Sequence, residues 1–211
     1  MTVKTIATSG QHEIVIKKSR FITTIQRVHT QEEFNDFWAT VRAANKKANH
    51  NVGAARFGTA PLIERASDDG EPSGTAGAPT LRGLQVHELT DTAAVTTRYF
   101  GGIKLGASGL IRAYTQAVTA TIQALGIVAL EPRQALNITV DYANYQPLTA
   151  FLAAQGWPEE HPSFLADVTT TIYVPTPDVD DVRAQITDQT NGRAHIVTGA
   201  ERIVEVPVPV R

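Results

Sequence analysis

The sequence contains no cysteine, an absence that excludes disulfides, thiolate zinc sites and a cysteine nucleophile together. It also lacks any run of about 18 uncharged apolar residues that would read as a bilayer-spanning helix. The opening stretch MTVKTIATSGQHEIVIKKSR has no apolar core of the kind that marks a secretory signal. A cytoplasmic protein with no membrane partner is therefore expected. The six histidines, His12, His29, His50, His87, His161 and His195, are scattered, and no two stand four residues apart. No helical histidine pair offers a zinc site.

What is present suffices for a packed core. At 211 residues with 42% hydrophobic content, the chain makes one large domain or two small ones. Charge divides it. Residues 1–130 carry 14 Lys and Arg against 10 Asp and Glu, a balance of +4, whereas residues 131–211 carry 5 against 11, a balance of −6. A polyanion would meet the first part, and the acidic second part would scaffold, face a protein partner or simply be solvated.

The pattern of the first part mixes both periodicities. HEIVIKKSRFITTIQRV alternates and is rich in β-branched residues, which predicts strand with a break near Lys18-Ser19. Thr30 and Glu33 form a T-x-x-E capping box, and Phe34, Phe37, Trp38 and Val41 recur at helical spacing, predicting a helix to about Lys47 whose aromatics are core. VGAARFG reads as a short strand leading to the loop SDDGEPSGTAG. A helix over Ala76 to Leu84, capped by Ser73 or Thr75, comes next. TAAVTTRYF is a strand, and Leu110 to Leu125 a long helix ended by Gly126. After Glu131-Pro132 the order is strand (ALNITVDY), helix stopped by Gly156, one or two strands in HPSFLADVTTTIYVP, helix (DVDDVRAQITDQT), the turn Asn191-Gly192, and a last strand. This β-α-β-β-α-β order is that of a ferredoxin-like unit.

Two glycine-rich stretches in the basic part carry what chemistry there is. RYFGGIKLGASGLIRAY holds Arg98, Lys104 and Arg112 with no acidic residue and runs from a strand into a helix. Its glycines Gly101, Gly102, Gly106 and Gly109 would let backbone N–H groups approach an anion at the helix N-terminus. A nucleotide triphosphatase is disfavoured, because Ala107 stands where the Walker A lysine belongs, leaving Lys104 inside the loop as the only substitute. SDDGEPSGTAG supplies Asp68, Asp69 and Glu71, with Ser73 and Thr75 behind them. Either these carboxylates pair with Arg98 and Arg112, or they serve a bound anion or metal.

SDDGEPSGTAGAP followed by TTRYFGGIKLGASGLIRAY resembles the signature of the YigZ/IMPACT family, and both blocks are nearly unbroken. The chain departs from the family's His-His-Cys stretch, having His50, Asn51 and Val52 there. The resemblance implies an α+β protein. Residues 1–130 would form an IMPACT-type N-terminal α/β domain resembling domain IV of elongation factor G. Residues 131–211 would form a ferredoxin-like βαββαβ domain resembling its domain V. It also implies work in translation, with RNA or the ribosome as partner.

The function expected is therefore that of a non-catalytic, translation-associated protein that binds RNA or ribosome. Arg98, Lys104 and Arg112 would neutralise phosphates over the glycine loop, and Asp68, Asp69, Glu71, Ser73 and Thr75 would be the loop's partners. No cofactor is required. The alternative is a metal-dependent hydrolase acting on a phosphorylated or nucleic-acid substrate, with Mg²⁺ on Asp68, Asp69 and Glu71. A third reading makes the acidic second domain, with its Pro207-x-Pro209 tail, a protein-interaction module.

Overall fold

The computed structural model describes residues 3–210. They form two compact units of mixed α+β structure. One takes in the described residues up to Leu130 together with those from Glu205 onward, and the other is Glu131–Val204. The division at Leu130 leaves one difference from the sequence reading, in which all of 131–211 formed the second domain: the last segment returns to the first unit. Glu205 accepts two hydrogen bonds from the Arg27 guanidinium, at 2.5 and 2.8 Å. Val208 and Val210 pack against the cluster of Ile6, Leu84 and Ile122. The Pro207-x-Pro209 stretch is thus flanked by anchored residues and is not a free peptide ligand.

The first unit contains β1 (Val3–Ile6), β2 (Gly10–Ile16), β3 (Ser19–Arg27), α1 (Gln31–Ala44), β4 (His50–Phe57), β5 (Ile63–Ser67), α2 (Gly77–Val86), β6 (Thr92–Tyr99), α3 (Ala107–Leu125) and the start of β7 (Ile127–Val140). Its main sheet is antiparallel with order β2-β3-β6-β4-β5. The break near Lys18 is a two-residue hairpin turn: Lys17 and Lys18 have φ of 46° and 65°, the backbone form that matches the twist of the two strands. Residues of β4 and β6 alternate between two covered faces. On one face Phe34, Phe37 and Val41 of α1 meet Ala55, Phe57 and Val95. On the other, Leu84, Val118 and Ile122 meet Ile25 and Ala94, while Tyr114 and Ala117 meet Phe21 and Val52. Each large side chain so buried contributes about 1.5–3 kcal/mol.

The Thr30 hydroxyl accepts the Glu33 N–H at 3.1 Å, as the T-x-x-E pattern predicts, while the Glu33 carboxylate reaches back one residue further than the standard box, to the His29 N–H at 2.6 Å. α1 stops at Ala44, short of Lys47. Asn45 there donates its side-chain amide to the Val41 carbonyl, closing the last turn.

The second unit holds the rest of β7, α4 (Tyr142–Ala154), β8 (Glu160–Phe164), β9 (Val168–Pro175), α5 (Val179–Gln189) and most of β10 (His195–Val208). The sheet order β10-β7-β9-β8 with a helix after the first and third of these strands in sequence is the ferredoxin-like arrangement. Leu136, Ile138 and Ile172 of the sheet bury against Leu148, Leu152 and Ile186 of the two helices. The Asp141 carboxylate caps α4 by accepting the Asn144 N–H at 2.9 Å, and Asn191-Gly192 turns with positive φ at both residues. Among the described residues no helix is long and apolar enough to cross a membrane.

Candidate functional site

The SDDGEPSGTAG loop sends its three carboxylates in three directions. Asp68 accepts backbone N–H bonds from Gly74 at 2.8 Å, Ala76 at 3.0 Å and Gly77 at 2.8 Å. It thereby caps α2 in place of the expected Ser73, which is exposed, or Thr75, whose hydroxyl donates to the Pro72 carbonyl at 2.6 Å. Asp69, in the left-handed backbone region with φ of 45°, accepts the Asn51 N–H at 2.6 Å and lies 3.4 Å from the Arg42 guanidinium. Glu71 points inward. Among the described residues no group of three or more His, Asp or Glu side chains is placed to hold a metal ion. The Mg²⁺ site read from Asp68, Asp69 and Glu71 is corrected on this geometry, because donors that diverge cannot share one cation.

The Asp68 carboxyl illustrates competing effects. Burial opposes its ionisation, but the three N–H bonds together outweigh burial and hold the carboxyl below its ordinary value. A lowered carboxylate contributes stability that is complete above the unfolded value near pH 4 and is lost as pH falls through the folded value. Asp68→Asn is expected to cost about 1.5–3 kcal/mol at neutral pH and to flatten the stability loss below about pH 4. Urea unfolding midpoints from pH 6 to pH 2 test this, and an unchanged acid limb would remove Asp68 from the account.

Glu71 and Arg98 form the buried centre. Their side chains are 3% and 7% exposed, and the guanidinium Nη1 donates to Glu71 Oε1 at 2.7 Å. The Tyr114 hydroxyl donates to the same oxygen at 2.8 Å. Burial first, and then the Glu71 charge, push the Tyr114 phenol far above its ordinary value, so it stays protonated and remains a donor. The register of the sheet brings these groups together, since Arg98 of β6 lies opposite His50 of β4. His50 Nδ1 sits 2.8 Å from the Asp69 carbonyl oxygen. A carbonyl only accepts, so Nδ1 carries the proton and Nε2 faces Glu71 Oε2 at 3.8 Å. Arg98 also lies over the rings of Phe21 and Phe100, at 5.4 and 5.6 Å. Of the pairings open in the sequence, Arg98 with Glu71 is the one that forms.

Above this centre is an open pocket of about 400 Å³. Asn49, His50, Arg98, Phe100 and Lys104 line it, and so does the N-terminus of α3 at Gly106 and Ala107. Gly106 precedes α3 with φ of 73°, and among the described residues no side chain caps the helix or places an acid in its first turn. Gly109 lies inside that first turn, while Gly102 is at the exposed tip of the loop. Arg112 is displaced from the pocket. It lines a separate groove with Ile111, Thr115 and Gln116 on the outer side of α3, so the expected trio of Arg98, Lys104 and Arg112 does not converge.

The structure supplies other cations instead. Gly101 packs directly on the backbone of Lys18 and Ser19 and donates its N–H to the Ser19 hydroxyl at 3.2 Å. This sets Lys17 and Lys18 beside the glycine loop. On the other side Tyr99 donates to Asn45 at 3.0 Å and the Phe100 N–H to Asn49 at 2.8 Å, bracketing the turn that carries Lys46 and Lys47. Lys17, Lys18, Lys46, Lys47 and Lys104 are all exposed, and among the described residues none is in an ion pair within 4.0 Å. Two Lys-Lys pairs at turns were the sequence signal for this arrangement.

The Impact N-terminal domain pattern matches residues 17–122, the segment that builds this site. A domain of unknown function, DUF1949, matches residues 138–193 in the second unit. The IMPACT family member YvyE of Bacillus subtilis is 37% identical over 204 residues, covering 97% of this chain and 94% of that protein. The chain belongs to the IMPACT family. Another IMPACT family member, YigZ of Escherichia coli, is 30% identical over 184 residues, covering 86% of this chain and 90% of its own. A solved structure described as a hypothetical protein superposes with a TM-score of 0.57 at 29% identity, covering 93% of this chain and 96% of that one. The match over both units extends the IMPACT assignment to the whole two-domain chain.

Proposed function

We propose that this IMPACT family member is a translation-associated protein that binds RNA or ribosome without catalysis, through the lysine-bearing end of its first unit. Family membership supports a translation-related regulatory role in general terms. The observation that carries the finer reading is the convergence of three loops with five exposed lysines around Phe100 and the open end of α3, where the nearby carboxylates are already committed. Asp69 faces Arg42, Glu71 is buried on Arg98, and Glu13 is bound to Arg20. A surface whose cations are free and whose anions are paired attracts phosphate.

Salt dependence tests this. Each lysine neutralising a phosphate contributes a slope of about 0.7–0.9 in the log–log dependence of affinity on salt. Five contacts predict a loss of about 100- to 500-fold in binding to ribosomes or a structured RNA between about 50 and 200 mM salt. Replacing Lys17, Lys18, Lys46 and Lys47 with alanine should lower the slope by roughly 3 to 4, whereas Arg112→Ala should leave it unchanged. A slope indifferent to the four lysines would sink the reading.

A further inference from the structure

We infer that the pocket beside Phe100 takes one unpaired nucleotide of the bound RNA, with its phosphate at the N-terminus of α3 and its base against the Phe100 ring. This rests on the RNA-binding reading and names what enters the site. The lysines alone would satisfy a continuous phosphate backbone and need no cavity. The cavity of about 400 Å³ is of a size suited to a small organic ligand, and its walls are of two kinds.

One wall is anionophilic. Among the described residues the N–H groups of the first turn of α3 have no side-chain acceptor, and Lys104 stands on the rim. Arg98 lines the same pocket, is buried to 6% exposure, and keeps its Nε without a hydrogen-bond partner. That Nε is closed off from the pocket, so Arg98 acts on a ligand there through its positive charge and not through this N–H. Glu71 shares the pocket, but its charge is already taken up by Arg98 and by the Tyr114 hydroxyl. The helix end and Lys104 therefore set the local sign.

The other wall is apolar and flat. Phe100 is 45% exposed although it sits at the end of a central strand. Its backbone N–H is held by Asn49, and the Arg98 guanidinium lies over its ring at 5.6 Å. Leu105 and Leu110 continue the apolar lining. A free phosphate would use only the first wall and an apolar ligand only the second. A nucleotide uses both, and stacking on an exposed aromatic is how unpaired bases are bound without sequence readout.

The test titrates the full chain with adenosine 5′-monophosphate, adenosine and inorganic phosphate in a calorimeter, alongside the RNA measurement. The monophosphate is expected to bind at least about tenfold tighter than either part. Phe100→Ala should weaken it about 5- to 150-fold, the range for loss of one stacked base, and Lys104→Ala should weaken it too. Both side chains are exposed, and unchanged circular dichroism would show that the variants fold. Changing Lys46 and Lys47 to alanine should weaken RNA and leave the monophosphate affinity within about twofold. Failure of the monophosphate to bind while RNA still binds with steep salt dependence overturns the nucleotide pocket and leaves the RNA reading standing. Monophosphate binding without RNA binding supports the pocket and removes the RNA reading. Equal affinity for inorganic phosphate and the monophosphate, or indifference to Phe100→Ala, reduces the site to a bare anion site and overturns the inference.

Discussion

Glu71→Ala is expected to destabilise the first unit by about 3–5 kcal/mol, the cost of leaving a buried charge without its partner. Arg98 has nowhere to turn for solvent: its side chain is 7% exposed, and its Nε already lacks a partner. Tyr114 would lose its acceptor at the same time. Converted to temperature, the loss corresponds to a fall in melting point on the order of 10 °C for a chain of this size. The pair itself contributes little net stability, because both ions give up hydration to form it. A double variant, Glu71→Leu with Arg98→Met, should therefore recover much of what the single change loses. Urea unfolding of the two single variants, the double variant and the parent completes the cycle. A single-variant loss below about 1 kcal/mol would mean that Arg98 finds water, contrary to the burial described.

Gly101→Ala is expected to be the most disruptive small change in the glycine loop. A Cβ at Gly101 would fall 2.0 Å from the Lys18 carbonyl carbon, 2.1 Å from its oxygen and 2.4 Å from the Ser19 nitrogen. These are backbone atoms, so no side-chain rotation relieves the overlap, and the loop and the β2–β3 hairpin must separate. A loss of about 3 kcal/mol is expected, at the upper end of what overpacking usually costs. Gly102→Ala is the matched control. Its Cβ would meet nothing within 4 Å, and only its φ of 82° opposes the change, at about 1–2 kcal/mol. Because the hairpin carries Lys17 and Lys18, Gly101→Ala should also lower RNA affinity more than Gly102→Ala does. Denaturation and RNA titration of the two variants read both effects, and equal behaviour would refute the close-approach argument.

The two-domain α+β organisation was legible because long periodic segments set it. The alternation across Lys18, the capping box at Thr30 and the β-α-β-β-α-β order after Glu131 each carry their own signal. β1 and β5 were not legible. Val3–Ile6 and Ile63–Ser67 are four and five residues long, too short for alternation to stand out, and the Glu64 and Arg65 within β5 read as loop. The site divided along similar lines. Asp68, Asp69, Glu71 and Arg98 were identified as chemistry-bearing, but which carboxylate meets which cation depends on sheet register. Register sets His50 opposite Arg98, and no local pattern encodes that. That Arg112 lies apart from Arg98 and Lys104 was not legible, because spacing along the chain ignores which side of α3 a residue occupies. Lys17, Lys18, Lys46 and Lys47 were missed because each pair reads as an ordinary solvated turn until the loops are brought together by Gly101, Asn45 and Asn49.

The return of the last segment to the first unit has a consequence for how the protein is made. Arg27 waits for Glu205, and the cluster around Ile6 and Leu84 waits for Val208 and Val210. Synthesis runs from the N-terminus at about 5–20 residues per second, so the whole second unit emerges before the first can close. In topological terms the ferredoxin-like unit is an insertion, and the unit that begins the chain is the last to be completed. A chain broken off anywhere before Glu205 leaves apolar surface of the first unit uncovered, the feature that chaperones and proteases act upon. Closure of the first unit's core is thereby coupled to synthesis past the second unit, at least as far as the segment that carries Glu205, Val208 and Val210.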